Sequence, residues 1–571
     1  MTTASLPPEP AVASDSVPPS AATVLLKGLA RHGVRVAFGI PGGTISPLFA
    51  ALKNVPELRY IAMRHEAMAA FAALGHARAT GMPAIVLTTS GPGLLNAFTG
   101  ITAALLEELP LILISGEVSW RAAARGALQD GTTAGLDAHA MMRTVTRWSG
   151  ALTATEGARG VAERAWQAAT SAPPGPVFIT AAIDVASSPV ADVVSLSWAR
   201  SPREQPDRDA CRIAASKLAT ARRPLLVLGN GSRNASRQAR ALAERTMCPV
   251  AVTGHAKGVF PEAHPLYLGI VGAGQHPSAV SYIEDRPDVV CVVGSRLGDI
   301  ATNGWTLEIG GTKDTIQIDR NPWLIGRNAP VTIGIVGDSA RVLEVMAEEL
   351  PRSVARPLRV ISGCRSVREE LATSSAVPLK PQRVLKALAE TFPGATWCCD
   401  IGEHLTMALH YLRVDEPSRF HAMVGLGSMG SGIGTAIGIR EAFPDRRVVA
   451  ICGDGGLAMF AGDLLTCVEN EIGVVFAVFN DGRWNMVEHG FRVVHGEVPR
   501  GFPSRMPDLA MVARGFGANA LRISSLDGLT LLQSYGNTRS PLVLDIQIDP
   551  TESVSRDTRA ASMRHFAHPE R

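Results

Sequence analysis

Two glycine–acid clusters constrain this chain most: Gly453-Asp454-Gly455 and, 24 residues on, Asn480-Asp481-Gly482. The run Val448-Val449-Ala450-Ile451-Cys452 precedes the first and reads as a short buried parallel strand. Phe460 to Glu471 is long enough for a helix, and Val474 to Phe479 is a second apolar run. Strand, helix, strand is a crossover unit that sets two parallel strands side by side. Asp454 and Asp481 are therefore predicted to meet at the carboxyl edge of a sheet, where open α/β folds bind ligands. Two carboxylates there suit a hard cation holding a phosphate, and Gly453, Gly455 and Gly456 let backbone amides approach the anion. Either cluster alone also reads as an ordinary loop; the pair at this spacing favours the site.

The 571 residues suffice for three domains of ordinary size, and 46% hydrophobic with 19% charged residues is a soluble globular composition. A net charge of +3 with no basic block argues against nucleic acid as the main partner. No apolar run reaches the length of a membrane span, and the N-terminus lacks a signal pattern. The eight cysteines are scattered, with neither zinc spacing nor a disulfide framework, so a reducing cytoplasm is the expected location.

Short β-branched runs alternate with Ala/Leu-rich stretches throughout, which predicts α/β domains with parallel sheets. Residues 1–21, rich in proline, are expected to form a disordered leader. Block one spans 22–190, with Val36–Ile40 ahead of Pro41-Gly42-Gly43 and Ala84–Thr88 ahead of Ser90-Gly91-Pro92-Gly93. A polar linker over 191–207 leads to block two at 208–352, with strands at Pro224–Leu228 and Val289–Val293. Block three covers 375–552 and carries the paired acids, and 553–571 is a charged tail without a clear core pattern.

The paired clusters resemble the signature of the thiamine diphosphate enzymes. The resemblance implies that Asp454, Asp481 and the carbonyl of Arg483 bind Mg²⁺, which grips the cofactor's diphosphate. Asp481 stands where that family has Asn; it keeps an oxygen ligand and adds negative charge. In block one, Arg64-His65-Glu66 opens an Ala-rich helix over Ala67 to Thr80. Alone, a carboxylate in a first helical turn is a favourable charge on the helix dipole. With Gly42, Gly43 and Ser90-Gly91-Pro92-Gly93, it resembles the pyrimidine-binding domain of the acetolactate synthase group. That resemblance makes Glu66 the catalytic residue: it would bond N1′ of the aminopyrimidine and promote the tautomer that removes the C2 proton.

Further motifs extend the likeness over nearly all of 22–550. Gly402-Glu403-His404 falls where the group has Gly-Gln-His near the diphosphate, with His404 the expected ligand and Glu403 repelled unless protonated or turned away. Gly425-Leu426-Gly427-Ser428-Met429-Gly430 is similar to the loop whose Met wedges between the cofactor's rings. Gly116-Glu117-Val118 and Ala127-Leu128-Gln129-Asp130 match elements that place a Gln, here Gln129, at the reacting carbon. Leu128 replaces a pocket-lining Phe, and Glu117 replaces a Gln. Gly294-Ser295-Arg296-Leu297 is a partial match to an element whose Arg touches FAD or the acceptor's carboxylate, so Arg296 is a candidate and FAD stays open. Gly490 stands at the position of a Trp that shapes the acceptor pocket, so the resemblance implies open space there, with His489, read as a loop histidine, a candidate pocket residue beside it.

The resemblance implies pyrimidine-binding, central and diphosphate-binding domains, and a homodimer or homotetramer in which two chains share each site. The implied reaction decarboxylates a 2-oxo acid such as pyruvate and adds the acyl carbanion equivalent to an acceptor carbonyl. Release of an aldehyde is the alternative. A dinucleotide dehydrogenase is disfavoured, because no Gly-x-Gly-x-x-Gly opens a helix near an N-terminal strand.

Overall fold

A computed structural model of the chain describes residues 18–190, 205–310, 313–351, 364–534, 539–554 and 563. Most of the expected leader, linker and C-terminal tail lies outside the described residues.

The apolar runs become three six-stranded parallel sheets, each with helices packed between strands. The first contains β1 (Val36–Gly39), β2 (Arg59–Ala62), β3 (Ala84–Thr88), β4 (Leu111–Glu117), β5 (Trp148–Leu152) and β6 (Pro176–Ala182). The second contains β7 (Pro224–Leu228), β8 (Val250–Thr253), β9 (Tyr267–Val271), β10 (Val289–Val293), β11 (Asp314–Asp319) and β12 (Ile333–Val336). The third contains β13 (Thr396–Cys399), β14 (Phe420–Ala422), β15 (Val448–Gly453), β16 (Val474–Asn480), β17 (Asn519–Ile523) and β18 (Leu542–Gln547). Central strands such as β3, β4, β10 and β16 are buried along their whole length, as near-continuous Val/Ile/Leu runs require.

Strand order places the ligand crevices. The first sheet runs β2-β1-β3-β4-β6-β5 and the third β14-β13-β15-β16-β18-β17, one topology used twice. Both reverse direction between their first and third strands in chain order, the switch point where a parallel sheet opens a crevice beyond its carboxyl ends. Gly42 and Gly43 follow β1 and Ser90 follows β3; Gly402 follows β13 and Asp454 follows β15. The central sheet runs β12-β11-β10-β7-β8-β9 and switches between β7 and β10, ahead of Arg296.

The predicted strand–helix–strand over 448–479 forms, with Gly453 paired to Phe479 in register. The expected helix from Phe460 differs: one helix starts at Asp454 and ends at Phe460, and a second spans Asp463–Glu469. Gly462 interrupts the run, and Asp463 turns back to accept from Arg64 N at 2.8 Å.

The first and third domains meet through the helices Glu66–Thr80 and Ser431–Ala442. Gly75 packs on Thr435, Gly434 on Phe71 and Gly438 on Ala72, with no room for a Cβ at any of the three. The third and central domains meet through two buried histidines, His410 and His276, whose rings stack 4.3 Å apart. His410 lies on the helix Glu403–Tyr411, which also carries Glu403 and His404. Its Nδ1 bonds Gly274 O at 3.1 Å and its Nε2 accepts from Val367 N at 2.9 Å, so a second ring proton would face an N–H. Burial, and the charges of Lys257 and Arg368, outweigh that carbonyl bond and push His410 down to about 4. A histidine lowered in the fold lends stability above its unfolded pKa and loses it as pH falls toward the folded one. Relative to His410→Gln, the wild type is expected to lose about 1.4 kcal/mol per pH unit between roughly pH 6.5 and 4. Urea midpoints of both proteins across that range check it; a constant difference would contradict it.

Candidate functional site

Glu66 begins the Glu66–Thr80 helix, whose N-cap is His65, with ring Nδ1 accepting from Ala67 N at 3.1 Å. The Glu66 carboxylate is buried and accepts from Asn96 Nδ2 at 3.0 Å. Its other oxygen lies 3.1 Å from where a Cβ on Gly93 would stand, so glycine at the start of the Pro92–Leu106 helix makes room for it. The segment is tied to the third domain by the Arg64–Asp463 bond and by the His65 ring against Phe460, 5.5 Å between centroids.

Gln129 has φ +62°, a left-handed conformation that costs a non-glycine residue energy and needs fixing by its neighbours. Thr89 Oγ1 donates to Gln129 Oε1 at 2.9 Å, and Ser90 Oγ donates to Gln129 O at 2.8 Å. Thr44 joins both, through its Oγ1 at 2.9 Å from Thr89 Oγ1 and 3.1 Å from Ser90 N. Gly42 packs on Thr89, while Gly43 has open space above it. A cavity of about 650 Å³ opens here, lined by Gly91, Pro92, Leu95, Ala127, Gln129 and Asp130 among others. Glu117 is buried behind the loop and accepts from Val118 N at 2.8 Å and Gly131 N at 3.0 Å. Burial raises its pKa. Leu128 does not line the cavity: its side chain is 87% exposed, because the turn that faces Gln129 inward sends its neighbour out.

The two acids come together at the carboxyl ends of the neighbouring strands β15 and β16, beside the third sheet's switch point. Burial and the neighbouring Asp481 charge push Asp454 up to about 7, and burial pushes Asp481 up to about 6. Asp481 Oδ1 accepts from Arg483 N at 3.2 Å, which folds residues 481–483 into a tight turn. Among the described residues no cluster of three or more His, Cys, Asp or Glu side chains could hold a metal. A cation on Asp454 and Asp481 would therefore need further oxygens from backbone and ligand, as hard ions beside phosphate do.

His404 is buried, and burial pushes its pKa down to about 4. Its Nε2 is a buried polar atom without a partner, and its ring lies 3.3–3.4 Å from the Cβ position of Gly453. An orphaned ring nitrogen next to Gly453 fits a phosphate oxygen in the tautomer that carries its proton there. Met429 reaches to 3.2 Å from the Cβ position of Gly455, with Trp484 Nε1 3.0 Å from the same point. Gly427 has φ +76° and open space on its Cβ side, and Ser428 O accepts from Ser431 N at 3.3 Å as the loop turns into its helix.

Glu403 is turned away from the phosphate position. Its carboxylate accepts from Ser553 Oγ at 2.6 Å and Thr406 Oγ1 at 3.2 Å, and lies 3.9 Å from His489 Nδ1. Burial alone would raise its pKa; the bonds from His489, Ser553 and Thr406 prevail and lower it. The loop reading of His489 is corrected: it is buried on the helix Asn485–His495, paired with Glu403. Gly490, expected to open space, has Met563 against it, the sulfur 3.0 Å from the Cβ position.

Three residues escaped sequence reasoning. Asp400 accepts from Gly430 N at 2.8 Å and Gly432 N at 3.0 Å, clamping the Met429 loop to the sheet. Asn96 orients Glu66, and Trp484 flanks Met429. No hydrogen bond or ion pair among the described residues joins Glu66 to Asp454, Asp481 or His404. Arg296 is exposed on the central domain, its carbonyl accepting from Asn328 at 2.7 Å.

Known proteins resemble this chain over nearly its whole length. The family model described as "Thiamine pyrophosphate enzyme, N-terminal TPP binding domain" matches residues 19–141, the central-domain model 211–346 and the C-terminal TPP binding domain model 400–546. A probable acetolactate synthase large subunit of Methanocaldococcus jannaschii is 31% identical over 96% of this chain and 95% of its own length. The acetolactate synthase isozyme 3 large subunit of Escherichia coli is 29% identical over 94% of this chain and 96% of its own. The isozyme 1 large subunit of the same organism is 29% identical over 92% and 93%. Three α/β domains in matching order, with a phosphate-ready crevice on the third, settle the kinship: this chain belongs to the thiamine pyrophosphate enzyme family, in its acetolactate synthase-like group.

Proposed function

We propose that this chain is a thiamine diphosphate- and Mg²⁺-dependent carboligase that decarboxylates a 2-oxo acid, with pyruvate the first candidate, and joins the remaining acyl unit to an acceptor carbonyl. The observation that carries the reading is the carboxyl edge of β13, β15 and β16, where Asp454 and Asp481 converge near the orphaned Nε2 of His404. Bound there, thiamine diphosphate supplies a nucleophilic carbon that holds the acyl unit as a carbanion equivalent once CO₂ has left.

The chain's own residues do the rest. Asp454, Asp481 and the Arg483 carbonyl would hold Mg²⁺, and His404 would bond the diphosphate. Met429, backed by Trp484, would support the cofactor's rings. Glu66, oriented by Asn96, would hold the proton at N1′. Gln129, on the cavity wall, would serve the reacting carbon. A homodimer or homotetramer with shared sites goes with this reading, as the family resemblance implies. Domain boundaries at 22–190, 208–352 and 375–552 go with this reading, as does a cytoplasmic setting. No described helix is long and apolar enough to cross a membrane. The reaction is redox-neutral, so FAD, left open by the partial match around Arg296, would carry no electrons in it. Relatives named as acetolactate synthases favour ligation over aldehyde release.

The acceptor side departs from the group's pattern at Gly490, where a thioether takes the place of an indole. One or two pocket side chains shift discrimination between substrates by about 10–200-fold. With thiamine diphosphate and Mg²⁺, the purified protein is expected to make little acetolactate from pyruvate alone. Adding a larger aldehyde or 2-oxo acid should yield more mixed product by mass spectrometry. Acetolactate formation that no added acceptor competes with would overturn the specialised acceptor.

A further inference from the structure

All three domains meet at one buried carboxylate, that of Glu107, which caps the C-terminal end of the Pro92–Leu106 helix. From the first domain, Arg78 Nη2 donates to Glu107 Oε2 at 2.5 Å. From the central domain, His255 Nε2 lies 3.4 Å from Oε1. From the third, Gly425 N donates to Oε1 at 2.7 Å. A second ring of bonds locks these partners. Arg78 Nη1 and Arg233 Nε both donate to Asn230 Oδ1, at 2.9 and 3.1 Å. Arg233 Nη2 bonds the carbonyls of His255 at 2.8 Å and Phe420 at 2.7 Å. Burial works to raise the Glu107 pKa, but the His255 and Arg78 charges and the Gly425 N–H hold it down at about 2.

Gly425 is the first residue of the loop that ends on Met429 and Gly430, and Asp400 holds its other end through Gly430 N and Gly432 N. The loop is thus pinned at both ends by a buried carboxylate, one from its own domain and one from the first. Between the pins Leu426 is exposed, and Gly427 and Gly430 take positive φ. The span therefore has little stiffness of its own, and its shape follows its anchors.

We propose that Glu107 is a positioning residue for the reaction: by accepting the Gly425 N–H while gripped by Arg78 and His255, it sets the path of the loop that places Met429. This rests on the role given to Met429 above. Misplacing a group by about 1 Å costs up to about 10²-fold in rate, so the pin carries catalytic weight without touching substrate.

The test compares two double variants that both remove the buried ion pair. Glu107→Leu/Arg78→Met abolishes the acceptor for Gly425 N, whereas Glu107→Gln/Arg78→Met retains a side-chain oxygen there. Exchange of the cofactor's C2 proton into D₂O and calorimetric thiamine diphosphate affinity are read on both. The leucine pair is expected to lose about tenfold or more in exchange, and the glutamine pair to stay within about threefold of wild type. Equal behaviour of the two would reduce Glu107 to a structural ion-pair member and overturn the proposal. Should the leucine pair fail to fold, Glu107→Asp replaces it, keeping the charge but drawing the carboxylate back by about 1.5 Å. Slowed exchange there supports the pin, and wild-type exchange overturns it. Met429→Ala runs alongside. Unchanged exchange in that variant would remove the Met429 role itself, while slowed exchange with two matching double variants would remove only Glu107.

Discussion

Replacing Glu66 by Gln is expected to slow exchange of the C2 proton by about 10²-fold or more while cofactor affinity stays near wild type. The amide keeps the size of the carboxylate and can still accept from Asn96, so the Glu66–Thr80 helix and its packing on Ser431–Ala442 persist. What it cannot do is stabilise a proton at N1′ as a negative charge does. The buried carboxylate lies against Gly93, and Asn96 is its hydrogen-bond partner among the described residues. Its charge is thus available to the cofactor ring. Wild-type exchange in the variant, measured by NMR after mixing with D₂O, would remove Glu66 from catalysis.

Asp454→Ala is expected to lower thiamine diphosphate affinity in the presence of Mg²⁺ by about tenfold or more, the scale of disturbed metal shells. Burial raises the cost of charging both acids, the Asp481 charge adds to it at Asp454, and a divalent cation would reverse that cost. Removing one acid leaves a single carboxylate, too few ligands to bridge a diphosphate. The unliganded fold should not suffer, because a buried unpaired charge is a liability to stability. Asp481→Asn keeps an oxygen at the site and is expected to bind cofactor nearly as well as the wild type. Calorimetry that finds unchanged binding in Asp454→Ala would remove the metal assignment.

The parts of the molecule legible from sequence are those written locally. The strands β3, β7 and β10 were readable to the residue, since a buried parallel strand is a bounded apolar run. Asp454 and Asp481 were readable because a crossover fixes where two strand ends lie. The helix expected from Phe460 was misplaced: composition does not reveal that Asp454 starts the turn or that Gly462 breaks it. His489 looked like a loop residue because Gly482 and Gly490 bracket it. In fact its helix is held by Asn485 bonding Pro550 O and by the Glu403 pairing, both remote in sequence. Asp400 and Glu107 were invisible for the same reason. Each is defined by backbone N–H groups, 30 residues away for Asp400 and 318 for Glu107. The repeated strand order of the first and third sheets also lies beyond any local pattern, although it is what places both crevices.

The most direct test follows the keto carbon itself. The purified protein, loaded with thiamine diphosphate and Mg²⁺, is given [2-¹³C]pyruvate, alone and with the acceptor that yields most product, and the mixture is read by carbon NMR. Ligation makes a new bond at the labelled carbon. The expected result is a labelled hydroxy ketone or hydroxy acid, with coupling between adjacent labelled carbons wherever pyruvate is also the acceptor. Labelled acetaldehyde accounting for all the pyruvate consumed, with no new carbon–carbon bond under either condition, would contradict carboligation.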